Sequence, residues 1–311
     1  MAIGSDSRLK DLSIRWDAMQ TNIEAYLITG KVIAVIDSGP PLASSETLST
    51  ALGAFGLQPK DIDLVLHTHG HLDHIGGNRV IKEAGQAKIL IHKEDAVLLE
   101  DHGRSFDLFY APGRSGNVQE QKAAFLKQME PEYKADRLLD DNEVIDLGEG
   151  LELRVVHIPG HTPGSVGFYW EKEGIMLAGD AIQGLGSPAG FLPIIYDFAR
   201  YEQSIARLME MPLRSLLFCH PYRSFKLPPS LKREGKDIAR YLSDSLETFK
   251  RLSEAIERQV ETAAERSLAE VADDVIREMG DEIGYKHISE LQAPQFSLGT
   301  VYWGLSQLKG R

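Results

Sequence analysis

Hydrophobic and polar positions follow two rhythms along the 311 residues, and the change from one to the other divides the chain. Through the first third, short β-rich runs alternate with stretches of helical spacing. "NIEAYLITGKVIAVIDSG" (22–39) carries two such runs about a TGK turn, the second closing at Asp37 and Gly39, which predicts a hairpin. "SETLSTALGAFG" (45–56) follows with helical spacing, and the "SSET" that opens it supplies a cap. "DIDLVLHT" (61–68) predicts a buried strand, then a glycine-bearing loop, with "GGNRVIKEAG" (76–85) as the next helix. "AKILIHKEDAVLLE" (87–100) repeats strand then helix. Strands alternating with helices predict a layered α/β architecture.

Residues 101–140 break this rhythm. "SFDLFYAPGRSGN" is aromatic and glycine-rich, and "VQEQKAAFLKQMEPEYKADRLL" is largely helical in propensity, so the segment reads equally as an insertion over a site or as a surface excursion. The β pattern resumes from residue 144 in "EVIDLGEGLELRVVHIPG", "GSVGFYWEKEGIMLAGD" and "LRSLLFCHP". Beyond Pro228 and Pro229 the spacing becomes helical from "SLKREGKDIARYL" onward. Ile238, Tyr241, Leu242, Leu246, Phe249, Leu252, Ile256 and Val260 then form one apolar stripe, suited to core or to the surface of a homodimer made through the C-terminal helices. A second helix opens on Ser267 and Glu270 in capping-box spacing and runs to Met279 and Gly280. The expected organisation is a catalytic domain over 1–228, with a partly helical insertion at about 101–140, and a helical extension over 229–311.

Composition excludes several classes. No run approaches the ~20 apolar residues of a membrane span. "MAIGSDSRLKDLSIRWD" lacks the apolar core of a secretory signal, which makes the cytoplasm the expected location. The single Cys219 forbids a disulfide within the chain and, in the apolar run "SLLFCH", reads as a buried strand thiol. A formal charge of −12, from 34 basic and 46 acidic side chains, disfavours nucleic acid as a partner and leaves a small molecule. The basic stretch "LKREGK" reads as a solvated helix face.

Chemistry concentrates in "HTHGHLDHIGG" (67–77), which holds four of the ten histidines. His69, His71, Asp73 and His74 bring nitrogen and oxygen donors together on a tight loop after a buried strand, as a metal requires. Three later strands also end on a donor: His161 in "HIPGHTPGS", Asp180 in "GIMLAGDAI" and His220 in "SLLFCHP". Five histidines and two aspartates exceed the four ligands of a structural zinc and argue for two metals with open positions.

Together "THGHLDH" (68–74), "PGHTPGS" (159–165), "AGD" (178–180) and His220 resemble, in order and approximate spacing, the metallo-β-lactamase superfamily over about residues 20–225. The resemblance implies an αββα sandwich of two mixed sheets with the metals between the sheet edges. It implies one metal on His69, His71 and His161, another on Asp73, His74 and His220, and Asp180 between them. The cofactors would be two divalent transition-metal ions, zinc first, with iron or manganese as alternatives. A metal-bridging hydroxide would attack an ester-like substrate, with Asp73 and Asp180 as the catalytic carboxylates and Asp73 able to pass a proton to the leaving group. Asp180 stands where the commonest true β-lactamases carry cysteine, and His71 where flavin-partnered diiron members carry glutamate. What remains is a small thioester or lactone. A phosphodiesterase or nuclease of the same fold, or a regulatory protein acting through a protein partner, is the alternative. The helical tail weakly resembles the quinolone-signal thioesterase branch.

Blander roles suit the other candidates. His67 should face away from Thr68 and pack; His157 suits a partly buried structural role, and His92, His102 and His287 have no partner legible in sequence. Gly76 and Gly77 should permit close helix approach, while Thr162 and Ser165 suit a turn or the ligand surroundings. Tyr196, Tyr222 and Arg223 suit packing more than substrate contact.

Overall fold

In the computed structural model, residues 8–41, 45–114, 116–129, 131–280 and 283–308 are described. Residues 1–7 of the N-terminal stretch, and the start of the "SSET" cap, lie outside them. Two six-stranded sheets face one another. The first runs in chain order: β1 (Leu9–Trp16), β2 (Thr21–Thr29), β3 (Ile33–Ile36), β4 (Leu64–Leu66), β5 (Lys88–His92) and β6 (Arg137–Leu139). Its first three strands are antiparallel and the others join in parallel. The second holds β7 (Val144–Asp146), β8 (Glu152–His157), β9 (Val166–Trp170), β10 (Ile175–Leu177), β11 (Ser215–Tyr222) and β12 (Ser230–Glu234). Here only β10 and β11 pair in parallel.

Burial on both faces explains the continuous apolar runs: β2 and β9 are each flanked by strands on both sides, with six of nine residues of β2 and all five of β9 buried. Between the sheets lie Tyr26, Ile28, Ile36, Leu66, Phe168, Trp170 and Leu217. The outer face of the first sheet is covered by α1 (Ser45–Gly53), α2 (Leu72–Ile75), α3 (Asn78–Ala84), α4 (Ala96–Glu100), α5 (His102–Ser105) and α6 (Val118–Met129). α7 (Phe198–Glu210), α8 (Lys236–Gln259), α9 (Leu268–Met279) and α10 (Gln295–Leu308) cover the second. The chain is thus an αββα sandwich with a C-terminal helical group. Ile238, Tyr241, Leu242, Phe249, Leu252 and Ile256 of α8 are buried within this core, so the apolar stripe is consumed by the chain itself.

Three elements differ from the sequence reading. Residues 230–234 are strand, not helix: "SLKRE" pairs antiparallel with β11, and α8 begins only at Lys236. The basic stretch is therefore no solvated helix face. Arg233 is buried with its guanidinium donating to the Tyr222 and Pro228 carbonyls and lying over Tyr241. β6 ends the stretch read as helical, and β1, polar along one face, pairs along its whole length with residues 21–28 of β2. The Ser267–Glu270 capping box of α9 forms as the spacing predicts.

Candidate metal centre

The loop from β4 to α3 carries His69, His71, Asp73 and His74, the last two on the single turn of α2. His161 follows β8 and Asp180 follows β10. His220 lies inside β11, at the register break between Leu217 and Tyr222, rather than beyond a strand end. The structure brings all seven together. Donor atoms of His69, His71 and His161 lie within 4.8 Å of one another, as do those of Asp73, His74 and His220, and those of His69, His74 and Asp180. His69 Nε2 and His161 Nε2 stand 3.2 Å apart. His220 Nε2 lies 3.2 Å from Asp73 Oδ2 and 3.4 Å from Asp180 Oδ2.

Hydrogen bonds behind the donors set the imidazole tautomers. Asp37, buried at the end of β3, accepts His74 Nδ1–H at 2.9 Å and the Thr68 hydroxyl at 2.7 Å. The Thr68 hydroxyl proton is thereby used, so Thr68 Oγ1 accepts from His69 Nδ1 at 3.1 Å. His161 Nδ1 donates to the Ile194 carbonyl at 2.9 Å. Each bond occupies Nδ1 and leaves Nε2 of His69, His74 and His161 facing the centre. Asp95, fully buried, accepts Gly70 N–H (2.8 Å), the Thr162 hydroxyl (2.7 Å) and Gly164 N–H (2.6 Å), which ties the loop of the first sheet to that of the second. Burial outweighs these bonds and pushes its carboxyl up to about 6.

Electrostatics divides the donor set. Burial, then neighbouring imidazoles, holds His69 and His71 well below the usual histidine range, so both are neutral as ligands must be. His74 goes the other way, because Asp73, Asp180 and Asp37 outweigh its burial, so a metal at Nε2 would take the place of a proton there. Asp180 is held far below the usual carboxylate range, the cations of His220 and His74 overcoming its desolvation. His74 Nε2 and Asp180 Oδ1 are buried without a hydrogen-bond partner. Such orphaned atoms, beside two imidazole nitrogens set face to face, fit divalent metal in this cluster.

The other histidines fill quieter roles. His67 is buried and meets Asn78 Oδ1 at 2.9 Å. His157 faces the Pro163 carbonyl and stacks on His92 at 4.0 Å, a pairing that spacing could not reveal. His102 is buried, and His287 lies 3.4 Å from Asp273. Gly76 and Gly77 are required by contact: a Cβ on either would lie 2.1 Å from Pro41 N or 1.9 Å from Ser38 O. Thr162 and Ser165 bond to each other at 2.7 Å. Tyr196 packs between Phe109 and Trp303, and Arg223 donates to the Ile283 and Leu185 carbonyls. Tyr222 lies on the wall of the cavity above the centre.

That cavity, about 390 Å³, opens onto Asp73, His71, His161, Asp180 and His220. The 101–140 segment reaches it through Phe109 and Tyr110 on a π-helical turn (Phe106–Tyr110), and the C-terminal helices through Phe296 and Trp303. Sequence reasoning missed Asp37, Asp95 and Gln183, whose Oε1 accepts Ile194 N–H at 2.8 Å and steadies the carbonyl facing His161.

A family model described as the metallo-beta-lactamase superfamily matches residues 20–220. A hydroxyacylglutathione hydrolase of Anaeromyxobacter dehalogenans (strain 2CP-C) is 32% identical over 161 residues, 52% of this chain and 46% of that protein. An acyl-coenzyme A thioesterase of Gallus gallus is 29% identical over 188 residues, 59% of this chain and 65% of that protein. The chain spans about half the length of the first curated relatives it matches. Among solved structures, a metallo-beta-lactamase family protein from Thermus thermophilus shares the fold at TM-score 0.71 with 21% identity, covering 97% of this chain and 93% of that one. No helix among the described residues is long and apolar enough to cross a membrane.

Proposed function

The chain belongs to the metallo-β-lactamase superfamily, and we propose that it is a dinuclear metal-dependent hydrolase of a small thioester or lactone, the thioester ranking first. The observation that carries this reading is the convergence of seven donors from both sheet edges, five of which, His71, Asp73, His161, Asp180 and His220, line one cavity. His69, His71 and His161 would hold one ion, Asp73, His74 and His220 the other, with Asp180 shared between them. Imidazole and carboxylate donors suit zinc, iron or manganese. Bound metal supplies Lewis acidity, lowering the pKa of water from ~15.7 toward ~7 and drawing charge from a developing oxyanion.

The chain's own groups do the rest. Asp37 and the Ile194 carbonyl keep His74 and His161 in the ligating tautomer. Asp73 lines the cavity and would hold the proton lost by the attacking water, then release it to the leaving thiolate or alkoxide. Phe109, Tyr110, Phe296 and Trp303 would keep bulk water from the reacting carbonyl. In this reading residues 1–228 form the catalytic domain, and residues 229–311 complete the second sheet through β12 and cover the cavity with helices. The thioester hydrolases among the relatives support the substrate class.

The test is elemental analysis of protein purified without chelator, followed by thioester, lactone and phosphodiester substrates on the same preparation. The expected result is close to two transition-metal ions per chain and turnover of a thioester. Trace metal, or turnover of the phosphodiester alone, would reject the proposal.

A further inference from the structure

Above the donors the cavity wall is built from Trp16, Leu72, Phe109, Phe191, Phe296 and Trp303. These side chains come from the end of β1, from α2, from the π-helical turn, from the loop before α7 and from α10. The wall is braced ring against ring: Trp303 meets Phe109 at 5.9 Å and Tyr196 at 5.3 Å, and Phe191 meets Phe296 at 5.6 Å. Among the described residues lining the cavity there is no lysine or arginine, and the charged side chains there belong to the donor set. The remaining polar groups, such as Gln183, Gln292 and Gln295, are neutral.

We infer that the acyl half of the substrate is an uncharged apolar group, a medium-length alkyl chain or an aromatic ring, buried in this cavity with its carbonyl carbon over the donors. The inference rests on the thioesterase reading above and narrows it. In the reaction, water adds its oxygen to the carbonyl carbon and the carbon–sulfur bond breaks. The acid leaves as its carboxylate, the sulfur takes one proton as thiol, and a second proton goes to solvent. The volume suits such a group, since small-molecule sites span roughly 300–1,000 Å³. An ionised group carried past the donors would lose its water against tryptophan and phenylalanine rings with no counter-charge to replace it. An alkyl chain there gains with each methylene buried, about three- to fourfold per carbon.

The experiment uses the full-length, metal-loaded protein and N-acetylcysteamine thioesters, whose thiol is neutral, carrying acetyl, butanoyl, hexanoyl, octanoyl and benzoyl groups, with S-lactoylglutathione alongside. kcat/KM is expected to climb with each pair of carbons until the cavity fills, mainly through KM, and to exceed that for S-lactoylglutathione. In Phe296→Gln, on the half-buried part of the wall, the octanoyl-to-acetyl ratio should fall at least tenfold. A flat or falling series, or a preference for S-lactoylglutathione, overturns the inference and leaves the hydrolase standing. If no thioester turns over, the thioesterase reading fails, and binding of butanoate, hexanoate and octanoate, followed by tryptophan fluorescence, decides the inference separately. Affinity that rises with chain length upholds the apolar cavity, and affinity independent of length overturns it.

Discussion

Two carboxylates with no exposed surface hold the candidate metal-binding residues in place, and Asp37 is the more demanding. Its backbone sits at φ +60°, a region that aspartate tolerates better than most residues. It accepts Thr68 N–H at 2.8 Å as well as the Thr68 hydroxyl and His74 Nδ1–H. Asp37→Asn keeps the volume but exchanges an acceptor for an amide, so His74 loses the bond that sets its tautomer. Metal affinity should fall about 10- to 100-fold, as for other groups that orient a metal-binding histidine, measured by competition with a chromogenic chelator. Unchanged affinity would reject the orienting role. His92 offers a test by pH. Burial, then the neighbouring His157, holds its pKa down to about 4 against 6.5 for a free histidine. The unfolded chain therefore binds more protons between those values. The stabilisation is complete above pH 6.5 and is lost as pH falls toward 4. Between pH 7 and pH 5 the metal-free protein should lose on the order of 1–2 kcal/mol from this group. His92→Phe should remove that component from the difference in urea unfolding free energy at the two pH values. An equal difference in both proteins would show that His92 carries none of it.

Elements position these residues through contact more than through propensity. α2 and α3 lie so close to the loop after β3 that Gly77, at φ −80°, needs its missing side chain and no special backbone freedom. Gly77→Ala forces the added carbon onto the Ser38 carbonyl, an overpacking that costs about 1–3 kcal/mol. Because Asp73 and His74 ride on α2, the variant should also carry less metal, read by elemental analysis and denaturant melting together. A variant with full metal and stability would mean that the loop yields freely. The same geometry explains what could be read from sequence. The donors His69, His161 and Asp180 were legible because each follows an apolar strand. Strands β6 and β12 were not, being short edge strands whose partners supply their stability, with Arg233 turning inward where the composition suggests a solvated helix. Asp37 and Asp95 were illegible as orienting groups because their partners stand 31 and 67 residues away in Thr68 and Thr162, and no local spacing records such a pairing.

Across the molecule, the donor set divides between the sheets: His69, His71, Asp73 and His74 come with the first, His161, Asp180 and His220 with the second. A metal held by both halves would bind the native chain and have no site in the unfolded one, so its affinity adds to folding stability. At a metal concentration about a thousandfold above Kd the gain is ~4 kcal/mol, and 1 kcal/mol moves the melting point of a large domain by roughly 2–4 °C. Chelation should therefore lower Tm by on the order of 10 °C, with recovery on adding zinc or manganese. The C-terminal helix is tied to the same linkage. Thr300 on α10 donates to the Pro193 carbonyl at 2.9 Å and accepts Ile195 N–H at 3.2 Å, so it clamps both neighbours of Ile194, whose carbonyl holds the His161 proton. Thr300→Val is nearly equal in volume and deletes both bonds. It should lower Tm of the metal-free protein modestly, and it should also shrink the gain in Tm on adding metal, because His161 then loses its fixed tautomer. A purely structural Thr300 would lower both forms equally and leave the metal-dependent difference intact, and that result would separate the tail helix from the centre.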